Sequence, residues 1–292
     1  MIHVENLRFS YPGARAPTLE ALDFDVRPGE VYGLLGPSGA GKSTTQRILM
    51  GLEPHFGGTV ELFGEPIGAL GRKLYERIGV SFELPAVYLR LTALENLRLF
   101  AALYDRPTRD PREVLGWVDL LDAADQRVDQ FSKGMKLRLN LARALLHDPE
   151  LVLLDEPTSG QDPTRARATR ELVNRLRAEG RTIFLTTHNM SEAAEICDRV
   201  GFLTRGSIPV TGTPGELMRR YGKRQLDVAA STDGRIAHHE FPMEGIGANP
   251  EFIALLKAGQ IVSLHTLEAT LEDVFIAATC SLRTATTVHC SP

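Results

Sequence analysis

Nine consecutive residues, "GPSGAGKST", combine three glycines with a lysine and three hydroxyl side chains, a mixture suited to holding an anion. They fit the spacing G-x-x-x-x-G-K-[ST], in which backbone N–H groups of a glycine-rich loop converge on phosphate oxygens. The members are Gly36, Pro37, Ser38, Gly39, Ala40, Gly41, Lys42, Ser43 and Thr44. Lys42 would reach the β- and γ-phosphates, and Ser43 would offer its hydroxyl to Mg²⁺. The spacing therefore predicts the binding of a nucleoside triphosphate.

Two adjacent acids follow an apolar run in "LVLLDE" and could supply metal binding and proton abstraction. Asp155 would hold Mg²⁺ through water, and Glu156 would orient or deprotonate an attacking water. The alternative is that the two acids cap the next helix. His188 ends another apolar run, "TIFLTTH", where it would contact the γ-phosphate and hold the water, unless it is a structural histidine. We predict that Glu156 and His188 act in catalysis together with Lys42, because strand ends of such sheets line the ligand crevice.

Alternating strand and helix patterns position these residues. "VYGLLG" predicts a strand before the glycine-rich loop, and "KSTTQRILMGL" predicts a helix after it. From about residue 84 to 150 the periodicity is helical, and strand–helix alternation then resumes with "LVLLDE". This order predicts an α/β fold in which a mostly parallel layer is interrupted by a helical insertion. Residues 223–280 indicate a small α+β appendage with a loop-like middle, and residues 281–292 indicate a disordered tail.

Composition narrows the class of protein. The 292 residues are 43% apolar and carry a net charge of -4, so the chain can bury a core but lacks the basic excess of a general nucleic-acid binder. We therefore expect no nucleic-acid partner. Three scattered cysteines are typical of a reducing compartment. The sequence shows neither a signal-peptide pattern nor the roughly 20 apolar residues of a membrane span, so we expect any membrane role to need another chain.

The ordered set "GPSGAGKST", "FSKGM", "LVLLDEPTSGQDP" and "TTH" resembles the ATP-binding subunit of ATP-binding-cassette (ABC) transporters over residues 1–222. The resemblance implies a P-loop NTPase cassette, with a RecA-like core, an antiparallel β subdomain and a helical subdomain at about residues 84–150. It implies an ATPase that uses ATP and Mg²⁺ to power export through a separate transmembrane permease subunit. It also implies a peripheral position at the cytoplasmic face of the plasma (inner) membrane.

Further positions carry roles only through this resemblance. "FSKGM" stands where the family signature "LSGGQ" lies, and in the family two cassettes pack head to tail. Ser132 and Gly134 would therefore face the γ-phosphate of ATP held by a second copy, in a nucleotide-dependent homodimer, while Ser132 also serves as a helix N-cap. Tyr11 would stack on adenine, unless it is a turn tyrosine. Asp162 would lie in the loop that crosses between the two nucleotide sites, where Gln161 replaces the usual apolar residue.

Glu83 departs from the family pattern, which has glutamine at this position. A glutamate offers Mg²⁺ a full negative charge, so we predict that Glu83 is a metal ligand together with Ser43 and Asp155. ATP binding should then depend on Mg²⁺ more steeply than in a glutamine-bearing relative. The alternative is that Glu83 faces solvent or the membrane subunit and never meets the metal.

The "SKGM" signature and the C-terminal "LEDVF" resemble the bacterial export branch that includes drug, antibiotic and lipid or polysaccharide exporters. Two other functions stay open: a soluble cassette protein acting on ribosomes or nucleic acid, and a nucleotide switch without turnover. A single cassette with a compact insertion argues against the first. The presence of Glu156 and His188 argues against the second. The cargo is not predicted, because the membrane chain selects it.

Overall fold

The computed structural model describes residues 1–221, 225–232, 235–267 and 269–285. The chain divides into two compact units, Met1–Thr213 and Pro214–Pro292. The helix Pro214–Tyr221, which the sequence-based division assigns to the cassette, falls in the second unit. Among the described residues, no helix combines the length and apolar character that crossing a membrane requires.

The first unit holds strands β1 (Ile2–Phe9), β2 (Leu19–Val26), β3 (Val31–Leu35), β4 (Gly57–Leu62), β5 (Glu65–Pro66), β6 (Ile78–Ser81), β7 (Leu151–Asp155), β8 (Thr182–Thr187), β9 (Arg199–Thr204) and β10 (Ser207–Gly212). Its helices are α1 (Lys42–Leu49), α2 (Ile67–Leu70), α3 (Lys73–Arg77), α4 (Ala93–Ala101), α5 (Pro111–Trp117), α6 (Lys133–Leu145), α7 (Pro163–Ala178) and α8 (Met190–Ile196). The helices α4, α5 and α6 lie in the stretch 84–150, which confirms the predicted helical insertion.

These strands form one sheet in the order β5-β4-β1-β2-β10-β9-β3-β8-β7-β6. The strands β9, β3, β8, β7 and β6 run parallel, whereas β1 pairs antiparallel with β2 and β4. Leu35 of β3 lies beside Thr187 of β8, and Asp155 of β7 lies beside Thr186. Because these strands end at one edge of the sheet, the segments that follow them meet there.

The parallel strands are buried on both faces, which explains their continuous apolar runs. Three rings join this layer to the antiparallel strands: Phe24 of β2, Tyr32 of β3 and Phe184 of β8. Their centroids lie 5.6, 5.8 and 6.0 Å apart in stacked arrangements. Burial raises the pKa of Tyr32 to about 12, so the ring stays neutral. The strand ends that carry the polar residues are therefore supported by a rigid apolar base.

The described part of the second unit contains a separate antiparallel sheet in the order β12-β11-β13, built from β11 (Gln225–Thr232), β12 (Arg235–Pro242) and β13 (Ile261–Leu267). Helices α9 (Pro214–Tyr221), α10 (Pro250–Ala258) and α11 (Leu271–Ala285) accompany it. The sequence prediction of a loop-like middle was wrong for β12. Most of its residues are exposed and only Phe241 is buried, so the strand lacks the alternation of apolar and polar residues that would have revealed it.

Helix α11 continues to Ala285, so residues 281–285 are helical where the sequence predicted disorder. Leu271, Val274 and Ala278 are buried at spacings of three and four residues, which anchors the start of this helix. Once a helix is nucleated, each further residue adds a hydrogen bond at small cost, so the helix extends beyond its anchored turns. Residues 286–292 of the predicted tail lie outside the described residues.

Candidate functional site

The glycine-rich loop connects β3 directly to α1. A side chain at Gly36 would place its Cβ 2.3 Å from the backbone oxygen of Leu203, so only glycine fits against this neighbouring strand. Gly41, with φ of +110°, adopts a conformation that side-chain-bearing residues rarely enter, immediately before the first residue of α1. These two glycines let the loop turn tightly into the helix N-terminus, where the helix dipole favours an anion.

Lys42 is buried beneath this loop rather than extended into solvent. Its ammonium donates to the backbone oxygens of Gly36 at 2.7 Å and Pro37 at 3.2 Å. It also lies 3.8 Å from Oε1 of Glu156, in an ion pair whose side chains are 8% and 11% exposed. The lysine charge is therefore held between the loop and the carboxylate at the end of β7.

Glu156 is fixed by several donors and by an uncommon backbone conformation. Its φ of +47° lies in the left-handed region, which non-glycine residues seldom occupy outside functional sites and turns. The Thr187 hydroxyl donates to Oε2 at 3.1 Å, and the His188 backbone N–H donates to the same oxygen at 3.4 Å. His188 Nδ1 lies 2.8 Å from Oε1, while its ring is 64% exposed. The arrangement aims a carboxylate and an accessible imidazole at the same space.

The carboxyl group of Asp155 lies in an environment that disfavours its charge. Burial raises its pKa above the ordinary aspartate value, and the nearby charges of Glu156 and Glu83 raise it further. A hydrogen bond from the Thr186 hydroxyl and the charge of Lys42 oppose this shift. Two neighbouring carboxylates thus repel the charge of Asp155, and a bound cation would relieve that repulsion.

These side chains line one cleft with a volume of about 440 Å³, which is suited to a nucleotide. Its lining contains most residues predicted for the cleft: Tyr11, Ser38, Gly39, Gly41, Lys42, Ser43, Thr44, Glu83, Asp155, Glu156 and His188. Gly36, Pro37 and Ala40 belong to the same loop but do not line the cleft. The Tyr11 hydroxyl lies 3.2 Å from the Thr44 hydroxyl, and an edge-to-face contact with Phe9 holds its ring.

The remaining predicted residues lie in a second pocket of about 550 Å³. Ser132, Gly134 and Asp162 line it, and none of its lining residues belongs to the first cleft. Ser132 caps α6 by accepting from the Met135 N–H at 3.2 Å, as the sequence predicted. Asp162 likewise caps α7. One copy of the chain therefore does not bring these residues to its own glycine-rich loop.

Gln161, the departure from the family pattern beside Asp162, is held by hydrogen bonds instead of apolar packing. Its amide nitrogen donates to the backbone oxygen of Pro157 at 2.9 Å. Its amide oxygen accepts from the Thr169 hydroxyl at 3.0 Å. The replacement is therefore satisfied within the chain, which leaves the loop ordered in front of α7.

Sequence reasoning missed the hydroxyls that orient the acids. Thr186 and Thr187 close β8, and each donates to one carboxylate of the pair. The available signal was the polar pair "TT" at the end of the apolar run "TIFL", since buried polar side chains normally have a partner. Thr18, which also lines the cleft, follows no pattern that would have revealed it.

The donor set of the cleft fits Mg²⁺. Within the residues that the structure describes, no group of three or more His, Cys, Asp or Glu side chains is placed to hold a metal ion by itself. Magnesium usually takes one or two carboxylates and completes its shell with water and substrate phosphates. Asp155, Glu83 and the Ser43 hydroxyl line the cleft, so they could supply such an incomplete oxygen set.

Replacement of Asp155 by asparagine should stabilise the nucleotide-free chain. A raised pKa means that the folded state binds the proton more tightly than the unfolded state, so ionised Asp155 lowers stability at neutral pH. Asparagine removes that charge and keeps an oxygen for the Thr186 hydroxyl. We expect the midpoint of thermal unfolding without Mg²⁺ to rise by about 2–4 °C, corresponding to about 1 kcal/mol. The two midpoints should converge as the pH falls through the raised pKa, and equal midpoints at neutral pH would contradict this account.

The chain is similar in sequence and in structure to members of one protein family. A family model described as "ABC transporter" matches residues 19–159, and one described as "Fluoroquinolone efflux ABC transporter C-terminal domain" matches residues 228–268. A fluoroquinolones export ATP-binding protein of Mycobacterium tuberculosis (strain CDC 1551 / Oshkosh) is 46% identical over 280 residues, 96% of this chain and 93% of the relative. The Nod factor export ATP-binding protein I of Rhizobium sp. (strain N33) is 37% identical over 279 residues, 89% of this chain and 91% of the relative. A dimeric post-hydrolysis ATP-binding cassette with ADP and Pi superposes with a TM-score of 0.67 at 26% identity, over 73% of this chain and 98% of that chain.

Proposed function

The chain belongs to the ABC transporter family as an ATP-binding ATPase subunit, and we propose that its ATP hydrolysis powers an exporter of antibiotic-like compounds. The observation that carries the catalytic part is the convergence of Lys42, Glu156 and His188 on one cleft. These three residues are distant in the sequence, but the strands that precede them end at the same edge of the sheet.

Each residue of the cleft would take a separate part in the reaction. The glycine-rich loop and Lys42 bind the phosphates, and Tyr11 stacks on the adenine. Glu156 accepts the proton of a water molecule whose oxygen attacks the γ-phosphorus, and ADP leaves from the opposite side. His188 contacts the γ-phosphate and holds the water in line. Mg²⁺, when bound, neutralises phosphate charge; Ser43, Asp155 and Glu83 would hold it.

A second copy of the chain would complete each site. The pocket of Ser132, Gly134 and Asp162 lies apart from the cleft of its own chain, as a pocket for another copy's nucleotide must. The similar cassette found as a dimer with ADP and Pi supports this arrangement. We therefore propose a nucleotide-dependent homodimer in which the two pockets meet by two-fold symmetry.

The helical insertion would contact the membrane subunit. Five large apolar side chains between residues 84 and 103 are exposed: Leu84, Tyr88, Leu89, Leu99 and Leu103. Exposed apolar residues concentrated in one region are typical of interaction surfaces. Because Glu83 immediately precedes this region, the surface begins at the nucleotide cleft. We propose that a separate permease subunit covers it and holds the chain at the cytoplasmic face of the membrane.

The export function can be tested with a fluoroquinolone, the class exported by the similar mycobacterial protein. The gene would be expressed with its neighbouring membrane-subunit genes in a susceptible bacterium, and drug accumulation measured. We expect lower accumulation than with Lys42→Ala chains, and co-sedimentation of the chain with membranes. Equal accumulation with both proteins would exclude fluoroquinolone export, and co-sedimentation with ribosomes instead of membranes would favour the soluble alternative.

A further inference from the structure

Asn140 of α6 holds the backbone immediately before Glu83. Its amide nitrogen donates to the backbone oxygen of Phe82 at 3.0 Å and to the Ser81 hydroxyl at 3.2 Å. The partners are 58 and 59 positions away in the sequence, so these bonds join the helical insertion to the end of β6. The residue that follows this anchored backbone is Glu83, which lines the nucleotide cleft.

The amide of Asn140 is an unusual group for its surroundings. Asn140 is fully buried, and its neighbours Leu139 and Leu141 are buried apolar residues of the same helix. Among the residues that the structure describes, its amide oxygen has no hydrogen-bond partner, so the side chain does not satisfy its own polar groups completely. A buried polar group with an orphaned atom lowers stability relative to an apolar side chain of similar size. The two bonds that its nitrogen makes therefore call for a role other than packing.

Arg143, one turn further along α6, holds the same segment on both sides of Glu83. Its guanidinium donates to the backbone oxygen of Ala86 at 2.8 Å and to that of Val80 at 3.2 Å. The charge also lies 4.9 Å from the centre of the Phe100 ring, and burial lowers the pKa of the guanidinium. The segment 80–86 is thus attached to α6 at three points. Arg143 holds its two ends, and Asn140 holds the backbone next to Glu83.

We propose that Asn140 is a positioning residue for Glu83. By fixing the Phe82 carbonyl, it sets where the Glu83 carboxylate can lie in the cleft, and hence how well that carboxylate holds Mg²⁺. Because α6 begins at the Ser132 cap, the same helix joins this carboxylate to the pocket for a second copy's nucleotide. The inference rests on the proposed function, in which Glu83 is a metal ligand.

The test is a titration of the affinity for a non-hydrolysable ATP analogue against Mg²⁺ with the full chain. Four proteins are compared: the unaltered chain, Glu83→Gln, Asn140→Ala and the double variant. Glu83→Gln should flatten the dependence of affinity on Mg²⁺. Asn140→Ala should raise the Mg²⁺ concentration needed for half-maximal affinity by about tenfold, the scale for losing a residue that orients a metal ligand. The double variant should match Glu83→Gln alone, because Asn140 acts through Glu83.

Asn96→Ala is the matched control. Asn96 is also a fully buried amide in the helical insertion, but it donates to the backbone oxygens of Tyr88 and Thr92, each at 2.9 Å. Its removal should lower the unfolding midpoint and leave the Mg²⁺ dependence unchanged. Asn140→Leu, which fills the space without a donor, serves in place of Asn140→Ala where the cavity prevents folding.

The outcomes separate the inference from the function on which it rests. If Glu83→Gln changes the Mg²⁺ dependence and both Asn140 variants leave it unchanged, the positioning role is wrong and the metal ligand stands. If the effects of Glu83→Gln and Asn140→Ala multiply in the double variant, Asn140 acts elsewhere and the inference is also wrong. If Glu83→Gln has no effect, Glu83 is not a metal ligand, and both proposals fail.

Discussion

Glu156→Gln is expected to reduce ATP turnover by about 10² to 10⁴-fold, the usual contribution of a general base, while ATP binding stays intact. Glutamine keeps the shape of the side chain and can still accept from the Thr187 hydroxyl, but it cannot take the proton of the attacking water. Because both residues must adopt the same left-handed backbone, the substitution adds no new backbone strain. Phosphate release and nucleotide titration on the purified chain measure the two effects separately.

Glu192→Gln provides the matched control for this experiment. Glu192 is another buried glutamate, and its carboxylate accepts from the Thr158 hydroxyl at 2.7 Å. It does not line the cleft, so the same chemical change there should leave turnover close to that of the unaltered chain. Lys42→Ala should differ from both, because it removes a phosphate ligand and weakens ATP binding itself. Normal turnover in the Glu156→Gln protein would mean that another group is the base.

A mixture of Lys42→Ala chains and Ser132→Arg chains is expected to hydrolyse ATP although neither variant does so alone. In a mixed dimer one site carries both lesions, and the other combines an unaltered glycine-rich loop with an unaltered Ser132 pocket. Random pairing makes about half of the dimers mixed, each with one intact site of two, so turnover should recover to about a quarter of normal. Light scattering on the Glu156→Gln protein with ATP should detect the dimer directly.

The control for this mixture places both lesions in the same cleft. Lys42→Ala chains mixed with Glu156→Gln chains have no intact site in any dimer, because each cleft carries one lesion, so turnover should not recover. If turnover recovered in this control, the recovery in the first mixture could not be attributed to pairing of an intact cleft with an intact Ser132 pocket. A chain that stays monomeric with ATP, with turnover unaffected by Ser132→Arg, would contradict the shared site.

Much of the cleft was predictable because its chemistry depends on short spacings. The loop from Gly36 to Thr44 needs residues at fixed offsets, and Glu156 and His188 follow strands whose apolar runs are unmistakable. The parallel layer and the helical insertion follow from the same periodicities. The residue types alone were sufficient for these features, since each is specified within about ten positions.

Contacts between distant parts of the chain were not predictable in this way. The bond from Asn140 to Ser81 joins residues 59 positions apart, and nothing near either residue indicates the other. The strand Arg235–Pro242 was missed because it is mostly exposed, so its neighbours in the sheet, rather than its own pattern, stabilise it. The boundary after residue 213 depends on contacts of the helix Pro214–Tyr221, which local periodicity cannot reveal.

The separation of the Ser132 pocket from the cleft of the same chain has a genetic consequence. In a cell that makes both normal and altered copies, a chain with a faulty cleft still presents a sound Ser132 pocket. In the proposed homodimer it can still pair with a normal chain, whose own cleft is then complete, while the cleft of the altered chain stays inactive. Each such pairing keeps one intact site of two, so a cell with equal amounts of both copies should retain about half of its normal turnover, and mutations in the cleft should not act as dominant-negative.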